Sequence, residues 1–172
     1  MGTRAGDLDP SVITYIMGKE GLTLSEANTL MNKHSGLIGL SGESSDMREI
    51  EAAVDENVKR AVNAFGVFCY RIKKYTGAYA AAMGGIDALV FTGGIGENST
   101  KVRKTVCENM QFLGMELDES LNENVDGEAV ISKPDSKAAI LRIPTNEELV
   151  IALDTEEIVN EQKKVTEEIK FN

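Results

Sequence analysis

Phe91-Thr92-Gly93-Gly94-Ile95-Gly96-Glu97-Asn98-Ser99 is the run with the clearest chemical potential. It follows the apolar stretch Ala88-Leu89-Val90 and precedes a helix-like segment. A buried strand emptying into a glycine turn at a helix N-terminus can receive a nucleotide or another anion. Gly93 and Gly94 allow a sharp turn and a close backbone approach without a Cβ clash. The same residues fit a strand-to-helix loop whose glycines serve folding alone. The run is not a Walker A loop, because no Lys-Ser/Thr follows, and it is not a GxGxxG fingerprint.

Four other places carry candidate groups. Arg4 lies in a Gly-Thr-Arg-Ala-Gly-Asp loop. Its guanidinium suits phosphate or carboxylate oxygens and could stabilise charge on a transferring phosphoryl group. A solvated arginine fits the same position. Asp46 and Arg48 stand at a predicted helix start. Asp46 could accept from a ribose hydroxyl with Arg48 against a base, or the pair could be an N-cap and a surface charge. Glu147 follows Pro144-Thr145-Asn146 near a predicted helix N-terminus. There it could hold Mg²⁺ directly or through water, or simply favour the first helical turn. His34, the single histidine, has no catalytic partner nearby in sequence and reads as structural or exposed.

The elements that must position these groups alternate in an α/β pattern. Residues 2–9 read as a polar loop. Asp9-Pro10 starts a short helix ending near Gly18, and Thr23 or Ser25 starts another. His34 to Gly42, with three glycines among aliphatics, reads as a short strand or a tight, ordered loop. Asp46 caps the next helix. Residues 56–83 hold the longest helical pattern, closed by Gly84-Gly85. Gly66 and Gly77 lower helix propensity inside it by ~1 kcal/mol each, so close packing at one or both is expected. The unbroken apolar run at 87–92 predicts a parallel strand covered on both faces. A helix from Asn98 or Ser99 to about Met110 follows. Asn122 to Gly127 reads as a polar turn, Val130-Ile131 and Ala138 to Ile143 as strands, and Glu147 onward as a helix. After Asn160 the sequence is mostly charged and is expected to fray.

The 172 residues suffice for one domain, and 42% apolar content suffices for a core. The net charge of −10 argues against a nucleic-acid partner. No apolar run approaches the ~20 residues of a membrane span, and no signal peptide is evident. Cys69 and Cys107, without metal-ligand spacing, read as buried reduced thiols in cytoplasm.

Taken together, these segments resemble the C-terminal part of the acetate kinase (acetokinase) family, which includes propionate kinases. The runs that carry the resemblance are Met1 to Pro10, Leu30-Met31-Asn32-Lys33, Phe91 to Ser99 and Ile143 to Glu148. Four separated motifs in order are far more specific than one glycine loop, and the likeness extends to about residue 160. The family belongs to the sugar kinase/Hsp70/actin superfamily. The resemblance therefore implies a partial C-terminal ribonuclease-H-like domain over residues 1–160 and a charged tail over 161–172. It also implies reversible transfer of the ATP γ-phosphoryl group to acetate, giving acetyl phosphate and ADP, with Mg²⁺ or Mn²⁺.

Carried over by motif, Arg4 resembles the arginine that stabilises the transition state. Asp46, Met47 and Arg48 match an adenosine-contacting Asp-Phe-Arg triplet, with Met47 replacing the aromatic ring. Gly94, Ile95, Gly96, Glu97 and Asn98 resemble the adenosine-side loop, and Glu147 the Mg²⁺ residue. The family's second catalytic arginine, catalytic aspartate, catalytic-site histidines and His-Gly-Thr-Ser-His segment all match positions before this sequence begins. The expectation is half an active site, lacking the N-terminal domain and the first strands of the C-terminal one. Little transfer by the isolated chain is expected. Expected partners are acetate or acetyl phosphate, a second copy or a complementing N-terminal portion, and no membrane. The alternatives are a nucleotide-binding or dimerisation module without catalysis, or a kinase for propionate or another short-chain acyl group.

Overall fold

Local capping signals set the helix starts. In the computed structural model, which describes the backbone of residues 1–170 and the side chains of residues 1–160, Asp9 accepts the Ser11 N–H at 2.8 Å. That cap opens α1 (Pro10–Glu20), which Gly21 ends at φ 67°. A capping box between Thr23 and Glu26 opens α2 (Leu24–Lys33). The following glycine-rich run is neither strand nor loop but α3 (Gly36–Ser41). Gly36 and Gly42 lie at its two ends, at φ 62° and 76°, where positive φ is needed. Leu37 and Ser41, one helical turn apart, share its buried face.

Asp46 caps α4 (Met47–Asp55), and α5 (Lys59–Met83) runs 25 residues to Gly84. Helices α3 and α4 both pack against α5. Gly66 and Gly77 do not mark close packing: a Cβ at either would meet no atom within 4 Å. Next come β1 (Ala88–Phe91), α6 (Gly93–Asn98) and α7 (Thr100–Cys107). The region expected as a turn at 122–127 begins inside α8 (Glu119–Asn124). Asp118 caps this helix through the Leu121 N–H at 3.0 Å, and Asn122 is its buried residue. Strands β2 (Ala129–Val130) and β3 (Ala139–Arg142) precede α9 (Glu147–Lys170). The helix thus continues past Asn160, through residues that are mostly good helix formers.

The sheet order is β1-β3-β2, with β1 and β3 parallel and β2 antiparallel to β3. Ala88 pairs with Ala139 and Phe91 with Arg142. Phe91 and Ile140 sink into a core shared with Leu37, Ile50, Ala64 and Val106. The parallel pairing agrees with the sequence, but coverage of both faces does not. Val90 and Val130 remain 46% and 55% exposed on the opposite face. A continuous apolar run indicates strand, but it does not establish that a neighbour covers each side. Cys69 and Cys107 are buried free thiols, and burial pushes both up to about 12.

Candidate functional site

The glycine segment takes its shape from a strand that stops at Phe91. Thr92 is extended, and Gly93 turns the chain at φ 68°. Gly94 and Gly96 are themselves helical, in α6, rather than a loop ahead of a single helix. Ser99 separates α6 from α7, with φ −95° and ψ 99°, and caps α7 through the Val102 N–H at 2.9 Å. A Cβ on Gly96 would lie 3.1 Å from the Phe91 carbonyl carbon, so α6 folds tightly back onto β1. Beside Gly93 and Gly94 a Cβ would meet nothing within 4 Å, which leaves their backbone approachable.

The side chains of α6 already have protein partners. Asn98 donates from Nδ2 to the Gly94 carbonyl at 2.8 Å. Glu97 Oε1 accepts the Thr145 N–H at 2.7 Å and the Thr145 hydroxyl at 3.0 Å. These hydrogen bonds, the backbone one first, hold the Glu97 carboxyl below its ordinary pKa. Thr145 Oγ1 in turn accepts the Gly93 N–H at 2.9 Å. The glycine segment and the turn that leads into Glu147 are thereby joined.

Glu147 and Glu148 are both exposed in the first turn of α9, where Asn146 accepts the Leu149 N–H at 3.0 Å. Among the described residues, no group of three His, Cys, Asp or Glu side chains could hold a metal. One exposed carboxylate is compatible with Mg²⁺, which commonly keeps water and phosphate oxygens as its remaining ligands.

Asp46 and Arg48 meet each other. Arg48 donates from Nη2 to Asp46 Oδ2 at 2.6 Å and from Nε to Oδ1 at 3.1 Å, while its backbone N–H is capped by Oδ1 at 2.9 Å. The Arg48 hydrogen bonds lower the Asp46 carboxyl to about 2. Met47 is only 4% exposed and belongs to the core. Its position on the inward face of α4, with Ile50, accounts for this.

The Arg4 loop rests on the α2–α3 junction. The Ser35, Leu37 and Ile38 N–H groups donate to the carbonyls of Thr3, Met1 and Gly2 at 2.9 to 3.1 Å. The Ala5 N–H donates to the Met31 carbonyl at 2.8 Å. Arg71 pairs with Asp7 at 2.8 Å, tying the far end of the loop to α5. Arg4 and His34 are exposed. Lys101 to Asp55 at 2.5 Å, together with Ser99 to Glu51, fastens α4 to the start of α7. The Asp46–Arg48 helix and the glycine segment therefore share one frame. Among the described residues, no hydrogen bond or ion pair joins the Arg4 loop directly to the glycine segment or to Glu147.

Sequence reasoning missed Arg103, Arg142 and Thr145. Arg103 is 1% exposed and donates to the carbonyls of Gly96 and Glu97 at 3.0 and 2.7 Å. Arg142 Nε also donates to the Glu97 carbonyl, at 2.9 Å. One signal was available for Arg103. Ser99, Val102, Arg103, Val106 and Cys107 recur at the three- and four-residue spacing of one buried helix stripe.

Fold and site define a mixed α/β domain, consistent with the sugar kinase/Hsp70/actin superfamily as represented by solved acetate kinases. The chain belongs to the acetokinase family, which it matches over residues 1–153. It is 56% identical over 159 residues to an acetate kinase of Symbiobacterium thermophilum, covering 92% of this chain and 40% of that protein. It is 55% identical over 163 residues to one from Parabacteroides distasonis, covering 94% and 41%. A solved Porphyromonas gingivalis acetate kinase superposes with a TM-score of 0.86 at 53% identity, covering 92% of this chain and 40% of that one. A Francisella tularensis propionate kinase gives 0.81 at 39% identity, covering 88% and 38%. The chain thus spans about two fifths of the length of the relatives it matches.

Proposed function

We propose that this chain is the C-terminal part of an acetate kinase, a member of the superfamily with a ribonuclease-H-like domain. In this reading the full enzyme reversibly transfers the γ-phosphoryl group of ATP to acetate, and the products are acetyl phosphate and ADP. One observation carries the site: Thr145 binds both Gly93 and Glu97 and stands two residues before Glu147. The nucleotide-side segment and the metal-side carboxylate are therefore held in a common frame. The acyl substrate follows the relatives, of which the 56% identical protein is an acetate kinase. The 39% identity to a propionate kinase keeps short-chain acyl acceptors in the same reading.

Adenosine lies between the N-terminal end of α4 and the segment Gly94–Asn98. Asp46 and Arg48 reach it by giving up part of their mutual pairing. Ile95 and Gly96 shape the floor, while Glu97 and Asn98 keep that floor rigid. Met47 contributes by seating α4 in the core. Arg4 holds the transferring group, where a forked donor stabilises spreading charge. Glu147 supplies a carboxylate to Mg²⁺ or Mn²⁺, and the metal offsets phosphate charge when bound. The enzyme acts in the cytoplasm, and its protein partner is a second copy or the portion that completes the site.

The test is acetyl hydroxamate formation from Mg-ATP, acetate and hydroxylamine. The 172-residue chain alone is expected to give none, and addition of a separately produced N-terminal portion is expected to restore it. In the reconstituted enzyme, Arg4→Ala should lower kcat on the order of 1,000-fold. An enzyme-like rate from the chain alone, abolished by Arg4→Ala, would sink the incomplete-site reading. A reconstituted enzyme that prefers propionate would reassign the substrate.

A further inference from the structure

Arg103 is almost wholly buried, yet it forms no ion pair among the described residues. A buried charge is costly unless other groups replace its water. Four acceptors do so here. Nη1 donates to the Gly96 and Glu97 carbonyls at 3.0 and 2.7 Å. Nε donates to Asn122 Oδ1 at 2.6 Å, and Nη2 to the Asn122 carbonyl at 2.9 Å. The two α6 carbonyls lie in its last turn, where a cation meets the negative end of the helix dipole. Arg142 approaches the same Glu97 carbonyl from β3 at 2.9 Å.

A side chain serving only to fill this place could be apolar, as Val102 and Val106 are on the same stripe. What an aliphatic residue cannot do is fix carbonyls of α6 and α8 at once through a planar fork. We propose that Arg103 is the positioning residue of the glycine segment: it touches no ligand and acts through Gly96 and Glu97. Its action on nucleotide binding rests on the function proposed above, whereas its action on the segment does not.

Lysine at this position keeps the charge but loses the fork. The full 172-residue chain is compared with its Arg103→Lys and Asn122→Ala variants by amide hydrogen exchange, with Mg-ADP binding measured in parallel. In Arg103→Lys, faster exchange is expected at residues 93–98 and 145–147, with α5 unchanged. Loss of the forked contacts should weaken Mg-ADP about tenfold. In Asn122→Ala, which retains both α6 contacts, the change at residues 93–98 should be smaller. Unchanged exchange at residues 93–98 in Arg103→Lys would overturn the proposal. So would acceleration spread equally over α5, or an Asn122→Ala effect on the segment as large as that of Arg103→Lys. If the unsubstituted chain binds no Mg-ADP, nucleotide binding requires the portion that completes the site, while the exchange comparison still decides the role of Arg103.

Discussion

Asp46 and Arg48 hold each other through paired hydrogen bonds while Asp46 also caps α4. The carboxyl is therefore depressed to about 2. Its contribution to stability is present above the ordinary carboxylate range and is lost as pH falls through about 2. Carbon-13 NMR titration of Asp46 should place its midpoint near that value, and Arg48→Ala should move it upward. A midpoint in the ordinary range in the unsubstituted chain would mean that the pair does not persist in water. The two cysteines make the opposite case. Burial raises both thiols to about 12, so thiolate is scarce at neutral pH. Reaction of Cys69 and Cys107 with iodoacetamide at pH 8 should be slow in the native protein and become rapid only in denaturant. Asp46 was legible as a cap from its own neighbourhood. Whether its partner was Arg48 or a ligand was not, because both uses need the same residue types.

At the level of elements, α3 determines where the Arg4 loop sits. A Cβ at Gly36 would lie 2.5 Å from the Met1 carbonyl oxygen and 2.9 Å from that of Arg4, at a φ of 62°. Gly36→Ala should therefore cost about 2 kcal/mol or more, read as a lowered urea midpoint, and should shift the Ala5 amide resonance. An unshifted Ala5 resonance would show that the loop does not depend on this junction. The sequence led to a strand or loop here because glycines among aliphatics weaken helix propensity. The contacts of Leu37 and Ser41 outweighed that local preference. The opposite outcome holds for α1 and α2. Asp9-Pro10 and the Thr23–Glu26 box act within a few residues, so local sequence reading sufficed.

Across the whole molecule, the sheet has one covered and one open face. Val90 and Val130 are exposed on the open side, and Leu149, Val150, Ile151 and Leu153 are exposed along α9. Apolar surface of this kind favours association. Sedimentation velocity of the isolated chain should show concentration-dependent self-association, and the double substitution Val90→Lys with Val130→Lys should reduce it. A monomer at all concentrations would show that these faces are not sticky enough to matter. No described helix is long and apolar enough to cross a membrane.

The amino-acid sequence by itself determined the family, the helix caps, the parallel strand and the glycine segment. Each rests on residue type within a short window or on motif order along the chain. Only the tertiary structure decided that Met47 is a core residue and that Glu97 is held by Thr145, 48 positions away. It likewise decided that Arg103 carries the carbonyls of α6 while its neighbour Lys104 reaches out to Glu119. The physical reason is that a donor's partner depends on which elements pack together. Packing is a sum over contacts distant in sequence, and no local spacing records it.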